Sequence, residues 1–258
     1  MAGRRRTLHS IKKHPYAIIF ILAYKKDVMA RYLIAPSILS ADFAYLGRET
    51  REVISAGADW IHFDVMDGHY VPNLSFGPMI CASLKKEVGQ IPIDVHLMVE
   101  KVDLLISAFL QAGATYISFH PEATWHPHRS LRLIKESGGK AGLALNPGSS
   151  LNLLDETVLS EMDYLLLMTV NPGFGGQQFI ESSLNKIRSA RHLLDDYNQK
   201  TGRNILLQVD GGIDQHTILP AAEAGAEIFV AGSAIFKEKN RSAALKTLRH
   251  ILERKREK

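Results

Sequence analysis

From Tyr32 onward the chain alternates strand-like and helix-like segments, and this alternation limits the available architectures more than any other feature. Runs rich in β-branched and aromatic residues fall at 33–38, 60–66, 91–98, 116–120, 141–146, 164–170, 205–210 and 228–231. Helical spacing fills intervening segments such as 43–56, 102–112, 182–197 and 217–224. Strands joined through helices run parallel, with right-handed crossovers, so eight such units predict an α/β fold. A closed (β/α)8 TIM barrel is expected, and 258 residues suit one. A doubly wound open sheet is the alternative, but it advertises itself with a glycine-rich turn after its first strand. Here that turn reads Ala35-Pro36-Ser37-Ile38-Leu39-Ser40, and the glycine-rich turns come late.

Three helix ends share one signature, Ala56-Gly57-Ala58, Ala112-Gly113-Ala114 and Ala224-Gly225-Ala226, which predicts left-handed glycine caps leading into strands. Residues 1–28 read as an N-terminal extension and 29–258 as the barrel domain. The apolar run 17–23 is far shorter than the roughly 20 residues that cross a bilayer, and no small-residue cleavage site follows it. Met29 is the preferred start, with organellar targeting by 1–28 the alternative. Residues 1–31 hold eight basic side chains against Asp27 alone, a charge of +7 that leaves −3 for the rest. The body is therefore mildly acidic and the basic segment short and separable, so neither nucleic acid nor a membrane is an expected partner. Cys81 is the single cysteine, which excludes an internal disulfide or a thiolate-rich metal site and fits a cytoplasmic setting.

In such a barrel the C-terminal strand ends form the active site. The first strand brings Ser37. On the second, His62, Asp64 and Met66 share one face while Ile61, Phe63 and Val65 share the other, because side chains alternate along a strand. The third repeats the design with Asp94, His96 and Met98. The sixth brings Met168 and a loop from Asn171 to Gly176, the seventh Asp210-Gly211-Gly212, and the eighth Gly232-Ser233. His62, Asp64, His96 and Asp210 could converge on one divalent cation, and imidazole with carboxylate suits zinc, iron(II), manganese or cobalt. Asp94, one step deeper, reads as the partner that orients a histidine. His120 and Glu122 read as structural. Gly173, Gly175, Gly176, Gly211, Gly212 and Gly232 follow strands six to eight, where barrels bind phosphate through backbone N–H groups. Met66, Met98 and Met168 read either as core filler or, from their place at strand ends beside the polar set, as a soft lid over the reacting atoms.

Five stretches carry a family resemblance: Ala35-Pro36-Ser37-Ile38-Leu39-Ser40-Ala41-Asp42-Phe43, His62-Phe63-Asp64-Val65-Met66-Asp67-Gly68, Asp94-Val95-His96-Leu97-Met98, Asn171-Pro172-Gly173-Phe174-Gly175-Gly176-Gln177 and Val209-Asp210-Gly211-Gly212-Ile213. Together, from about Tyr32 to Phe236, they resemble ribulose-phosphate 3-epimerase. The resemblance implies a metal-dependent TIM barrel interconverting D-ribulose 5-phosphate and D-xylulose 5-phosphate in the pentose phosphate pathway. It implies metal ligation by His62, Asp64, His96 and Asp210, and substrate contacts from Ser37 and His96. It further implies phosphate binding by Gly173, Phe174, Gly175 and Gly176, by Gly211 and Gly212, and by Gly232 and Ser233.

Inverting a stereocentre beside a ketone requires a proton to leave one face and another to arrive at the opposite face. Asp64 and Asp210 are the expected pair, each base for one epimer and acid for the other, acting through a metal-stabilised enediolate. A six-carbon ketose phosphate such as allulose 6-phosphate is an alternative substrate. A non-catalytic sugar-phosphate-binding barrel is the alternative of another class. The expected partner is a small ketose phosphate; the sequence leaves homo-oligomerisation, the native metal and the start residue open.

Overall fold

The computed structural model describes residues 32–256, so the boundary between 28 and 29 lies outside the described residues. Eight parallel strands follow in chain order: β1 (Leu33–Pro36), β2 (Ile61–Met66), β3 (Ile93–Met98), β4 (Tyr116–Phe119), β5 (Lys140–Leu145), β6 (Tyr164–Met168), β7 (Leu206–Asp210) and β8 (Ile228–Ala231). They hydrogen-bond in the order β1-β8-β7-β6-β5-β4-β3-β2. The seam between β1 and β2 closes through a parallel bridge of Ser37 with His62 and through Asp59 N–H donating to the Ile34 carbonyl at 3.0 Å. The (β/α)8 expectation holds. β1 is shorter than predicted, because Ser37 leaves the strand and caps a short 3-10 turn, Ile38–Ser40.

The helices are α1 (Leu46–Ser55), α2 (Pro78–Val88), α3 (Val102–Gln111), α4 (Pro127–Glu136), α5 (Glu156–Leu159), α6 (Ser183–Thr201), α7 (Ile218–Ala224), α8 (Ser233–Phe236) and α9 (Arg241–Arg256). Proline opens α2 and α4, where its missing N–H costs nothing. Gly57, Gly113 and Gly225 take the positive φ angles that the repeated Ala-Gly-Ala ends predict. Among the described residues no helix is long and apolar enough to cross a membrane.

Strand alternation sorts the interior into two compartments. Ile61, Phe63 and Val65 on β2, with Ile93, Val95 and Leu97 on β3, join the large apolar layer between strands and helices. The opposite faces fill the barrel itself. Its floor is apolar, built from Ala35, Trp60 and Ile228, with Trp60 stacked on Tyr116 at a centroid distance of 4.0 Å. Above that floor the inward residues become polar, with His62, Asp94, His96 and Gln208 all fully buried. Buried polar groups persist only when partnered, so their hydrogen bonds define the site.

Candidate active site

Two polar layers lie one above the other between β2 and β3, because the register pairs His62 with Asp94 and Asp64 with His96. In the lower layer, Asp94 Oδ2 meets His62 Nδ1 at 2.8 Å and accepts from Gln208 Nε2 at 2.6 Å. Its Oδ1 accepts from the Tyr164 hydroxyl at 2.8 Å. The Tyr164 ring fits because position 142 on neighbouring β5 is glycine, and any β-carbon there would collide with it. Three protein contacts hold this carboxylate. Burial opposes its charge, but the adjacent His62 and its hydrogen bonds hold the Asp94 pKa below the usual range.

In the upper layer, Asp64 Oδ2 accepts from the Ser37 hydroxyl at 2.6 Å, and Oδ1 lies 3.2 Å from His96 Nδ1. Asp210, at the end of β7, approaches from across the barrel with Oδ2 3.7 Å from His62 Nε2 and 3.9 Å from His96 Nδ1. Burial and then the charge of Asp64 raise the Asp210 pKa. Burial also pushes against ionised Asp64, but the two imidazoles outweigh it and hold Asp64 well below the carboxylate range. One shared site thus treats its two aspartates oppositely.

His62, Asp64, His96 and Asp210 each turn one ligand atom inward, all within 4.8 Å of one another, and these residues could hold a metal ion. Two features fit a cation. His62 Nε2 is buried with no aligned hydrogen bond among the described residues, an expensive state for a ring nitrogen. The separations between nitrogen and carboxylate ligand atoms, 3.2, 3.3, 3.7 and 3.9 Å, lie close to the about 3.3–3.6 Å edge that tetrahedral bonds of about 2.0–2.2 Å produce.

Above these atoms opens a cleft with about 520 Å3 of empty space, part of it continuous with solvent. Ser37, Asp64 and Asp210 line its base, with Met66, Met98 and Met168 around them. Its wall carries Gly173, Phe174, Gly175, Gly176, Gly211, Gly212, Gly232 and Ser233. His96 lies behind Asp64 and does not line the cleft. Gly212 adopts φ +65°, and a β-carbon there would strike the Phe179 backbone, so the loop after β7 reaches this approach only with glycine. The Asn73 side-chain amide donates to the Gly173 carbonyl at 2.9 Å, tying the loops after β2 and β6 together. Lys237 places its ammonium 3.2 Å from where a Gly176 β-carbon would sit.

Sequence reading overlooks Tyr164 and Gln208, although both share the inward parity of Met168 and Asp210. It sets aside His120, which meets His96 at 2.9 Å between the two Nε2 atoms and stacks on Tyr70. Tyr70, Asn146 and Lys237 lie on loops or an exposed helix end and carry no periodic signal.

With this geometry in place, relatives agree on one family. The ribulose-phosphate 3 epimerase family model matches residues 33–236. A protein of Serratia marcescens named ribulose-phosphate 3-epimerase is 57% identical over 208 residues, 81% of this chain and 97% of the relative. One of the same name from Escherichia coli (strain K12) is 52% identical over 224 residues, 87% and 97% of the two chains. Among solved structures, KGPDC from Streptococcus mutans in complex with D-R5P superposes with a TM-score of 0.65 at 14% identity, covering 86% of this chain and 97% of that one. That likeness speaks to the barrel alone. The family match over residues 33–236 and identity above one half over nearly the whole barrel carry the conclusion: the chain belongs to the ribulose-phosphate 3-epimerase family.

Proposed function

We propose that the chain interconverts D-ribulose 5-phosphate and D-xylulose 5-phosphate at C3, in the cytoplasm and within the pentose phosphate pathway, with residues 29–258 as its catalytic domain. The observation that carries this reading is the pairing of Asp64 on β2 with Asp210 on β7, two carboxylates from opposite sides of the barrel facing one cleft. Whichever aspartate is ionised and faces the C3 proton removes it. The other, protonated, delivers its proton to the opposite face, and the roles exchange in the reverse direction. Ser37 steadies Asp64 by donating to the oxygen that His96 does not face.

His62, Asp64, His96 and Asp210 would hold a divalent cation, zinc, iron(II), manganese or cobalt, whose Lewis acidity supplies several kcal/mol of charge stabilisation as the C3 proton leaves. His62 is aimed by Asp94, which leaves its Nε2 directed at the centre. The three methionines surround the reacting carbons and limit water there. The glycine loops from Gly173 to Gly176, at Gly211 and Gly212, and at Gly232 and Ser233 receive the substrate phosphate, and Lys237 adds a positive charge beside them. Binding energy at that remote group aligns C3 between the aspartates.

A coupled assay on ribulose 5-phosphate, with metal analysis of the same sample and allulose 6-phosphate run in parallel, tests the reading. It predicts turnover with a bound divalent cation and a higher kcat/KM for the five-carbon substrate. Full activity in a verified metal-free sample removes the cation from the scheme, and preference for the six-carbon sugar replaces the substrate. A protein that binds both sugars yet exchanges no C3 hydrogen with solvent is not an epimerase.

A further inference from the structure

His120 is fully buried at the end of β4, yet it lines no part of the cleft and contributes no atom to the four-residue centre. Its Nε2 lies 2.9 Å from His96 Nε2, so a single proton must sit between these two nitrogens. Only two neutral arrangements satisfy that contact. In one, His120 donates and His96 carries no proton at Nε2, so the His96 proton sits on Nδ1 and points at Asp64 Oδ1, 3.2 Å away. In the other, His96 donates from Nε2, its Nδ1 lone pair faces Asp64 and Asp210, and the His120 proton sits on Nδ1. That His120 nitrogen meets no acceptor among the described residues, so this arrangement is favoured only when a cation takes the His96 lone pair.

The first arrangement fills the inward nitrogen of His96 with a hydrogen, and the second leaves it free to bind a cation. The surroundings fix the His120 ring in place: Tyr70 stacks on it at a centroid distance of 4.8 Å, and Asn146 Nδ2 donates to the Tyr70 hydroxyl at 2.8 Å. The Asn146 carbonyl is held in turn by the Lys186 ammonium at 2.6 Å. Chain from the loops after β2 and β5 thus braces the residue that follows β4 against one of β3.

We infer that His120 is a positioning residue that accepts a hydrogen bond from His96 Nε2–H and so keeps the His96 Nδ1 lone pair turned toward Asp64 and Asp210. This rests on the reading of those residues as a cation site. The two histidines of the centre are anchored in different ways. His62 has a carboxylate behind it, whereas His96 has a neutral ring, which orients the imidazole without adding another buried negative charge beside Asp64, Asp94 and Asp210.

The test uses the full chain and two variants, His120→Gln, whose amide oxygen can still accept, and His120→Leu, which cannot. Affinity for Co2+ is measured by chelator competition, alongside thermal midpoint and turnover. His120→Leu should bind Co2+ roughly 10–100-fold more weakly, while His120→Gln recovers most of the loss. A folded His120→Leu protein with native Co2+ affinity, or a His120→Gln protein no better than His120→Leu, overturns the assignment. Should His120→Leu fail to fold, nitrogen NMR of the zinc-loaded native chain decides. A proton on His96 Nε2 and on His120 Nδ1 supports the assignment, and the reverse tautomers overturn it. A native chain that takes up neither Co2+ nor Zn2+ shows, before any variant is made, that the cation reading itself fails and this inference with it.

Discussion

The strands β2 and β3 carry the same three residue types on their inner faces, His-x-Asp-x-Met and Asp-x-His-x-Met, and their register makes two cross-strand His–Asp pairs. The lower pair, His62 with Asp94, is closed: every Asp94 contact is to protein, from Tyr164, Gln208 and His62. The upper pair, His96 with Asp64, reaches the cleft through Asp64, and Asp210 faces it from across the barrel. Composition is identical and depth differs. A carboxylate surrounded by fixed donors can only orient, whereas one that borders a cleft is free to exchange a proton with a substrate.

The largest effect that tests this contrast is on turnover. Asp64→Asn and Asp210→Asn should each lower kcat by roughly 10^2–10^4-fold, the span of acid–base catalysis, with little change in thermal midpoint. Near-native turnover by either variant would erase the distinction between open and closed pairs. Asp94→Ala should act on the fold instead, leaving three buried groups without an acceptor at a cost of about 2–4 kcal/mol in denaturant unfolding. It should also weaken divalent-cation uptake, because His62 loses the partner that aims it. Tyr164→Phe removes one of those three contacts and should cost about 1 kcal/mol with turnover largely retained. The smallest effect belongs at the far end of the cleft. Lys237→Gln should raise KM for the sugar phosphate severalfold and flatten its salt dependence, with kcat unchanged. An unaltered KM removes Lys237 from phosphate binding.

Much of this contrast was legible in the sequence. Alternation along 60–66 and 91–98 puts His62, Asp64, Asp94 and His96 on inner faces, and one step of depth separates Asp94 from His96. The family motifs located the glycine loops. Cross-barrel partners leave no local signal. Tyr164 and Gln208 have the right parity, but nothing local indicates that they meet Asp94 from 70 and 114 residues away. The Tyr70–His120 stack depends on a loop folding over the barrel mouth, and loop conformation leaves no period to read. β1 also ends early, because the Ser37 hydroxyl and backbone are drawn into a cap and into the Asp64 bond, a tertiary demand that strand propensity does not contain.

Solvent exchange at C3 tests the central claim most directly. In D2O, the native chain should place deuterium at C3 as it epimerises. Asp64→Asn and Asp210→Asn should epimerise at a small fraction of the native rate, each exchanging the C3 hydrogen of one epimer only, and the opposite epimer in the two variants. Exchange of both epimers at comparable rates by either single variant would contradict two aspartates working from opposite faces.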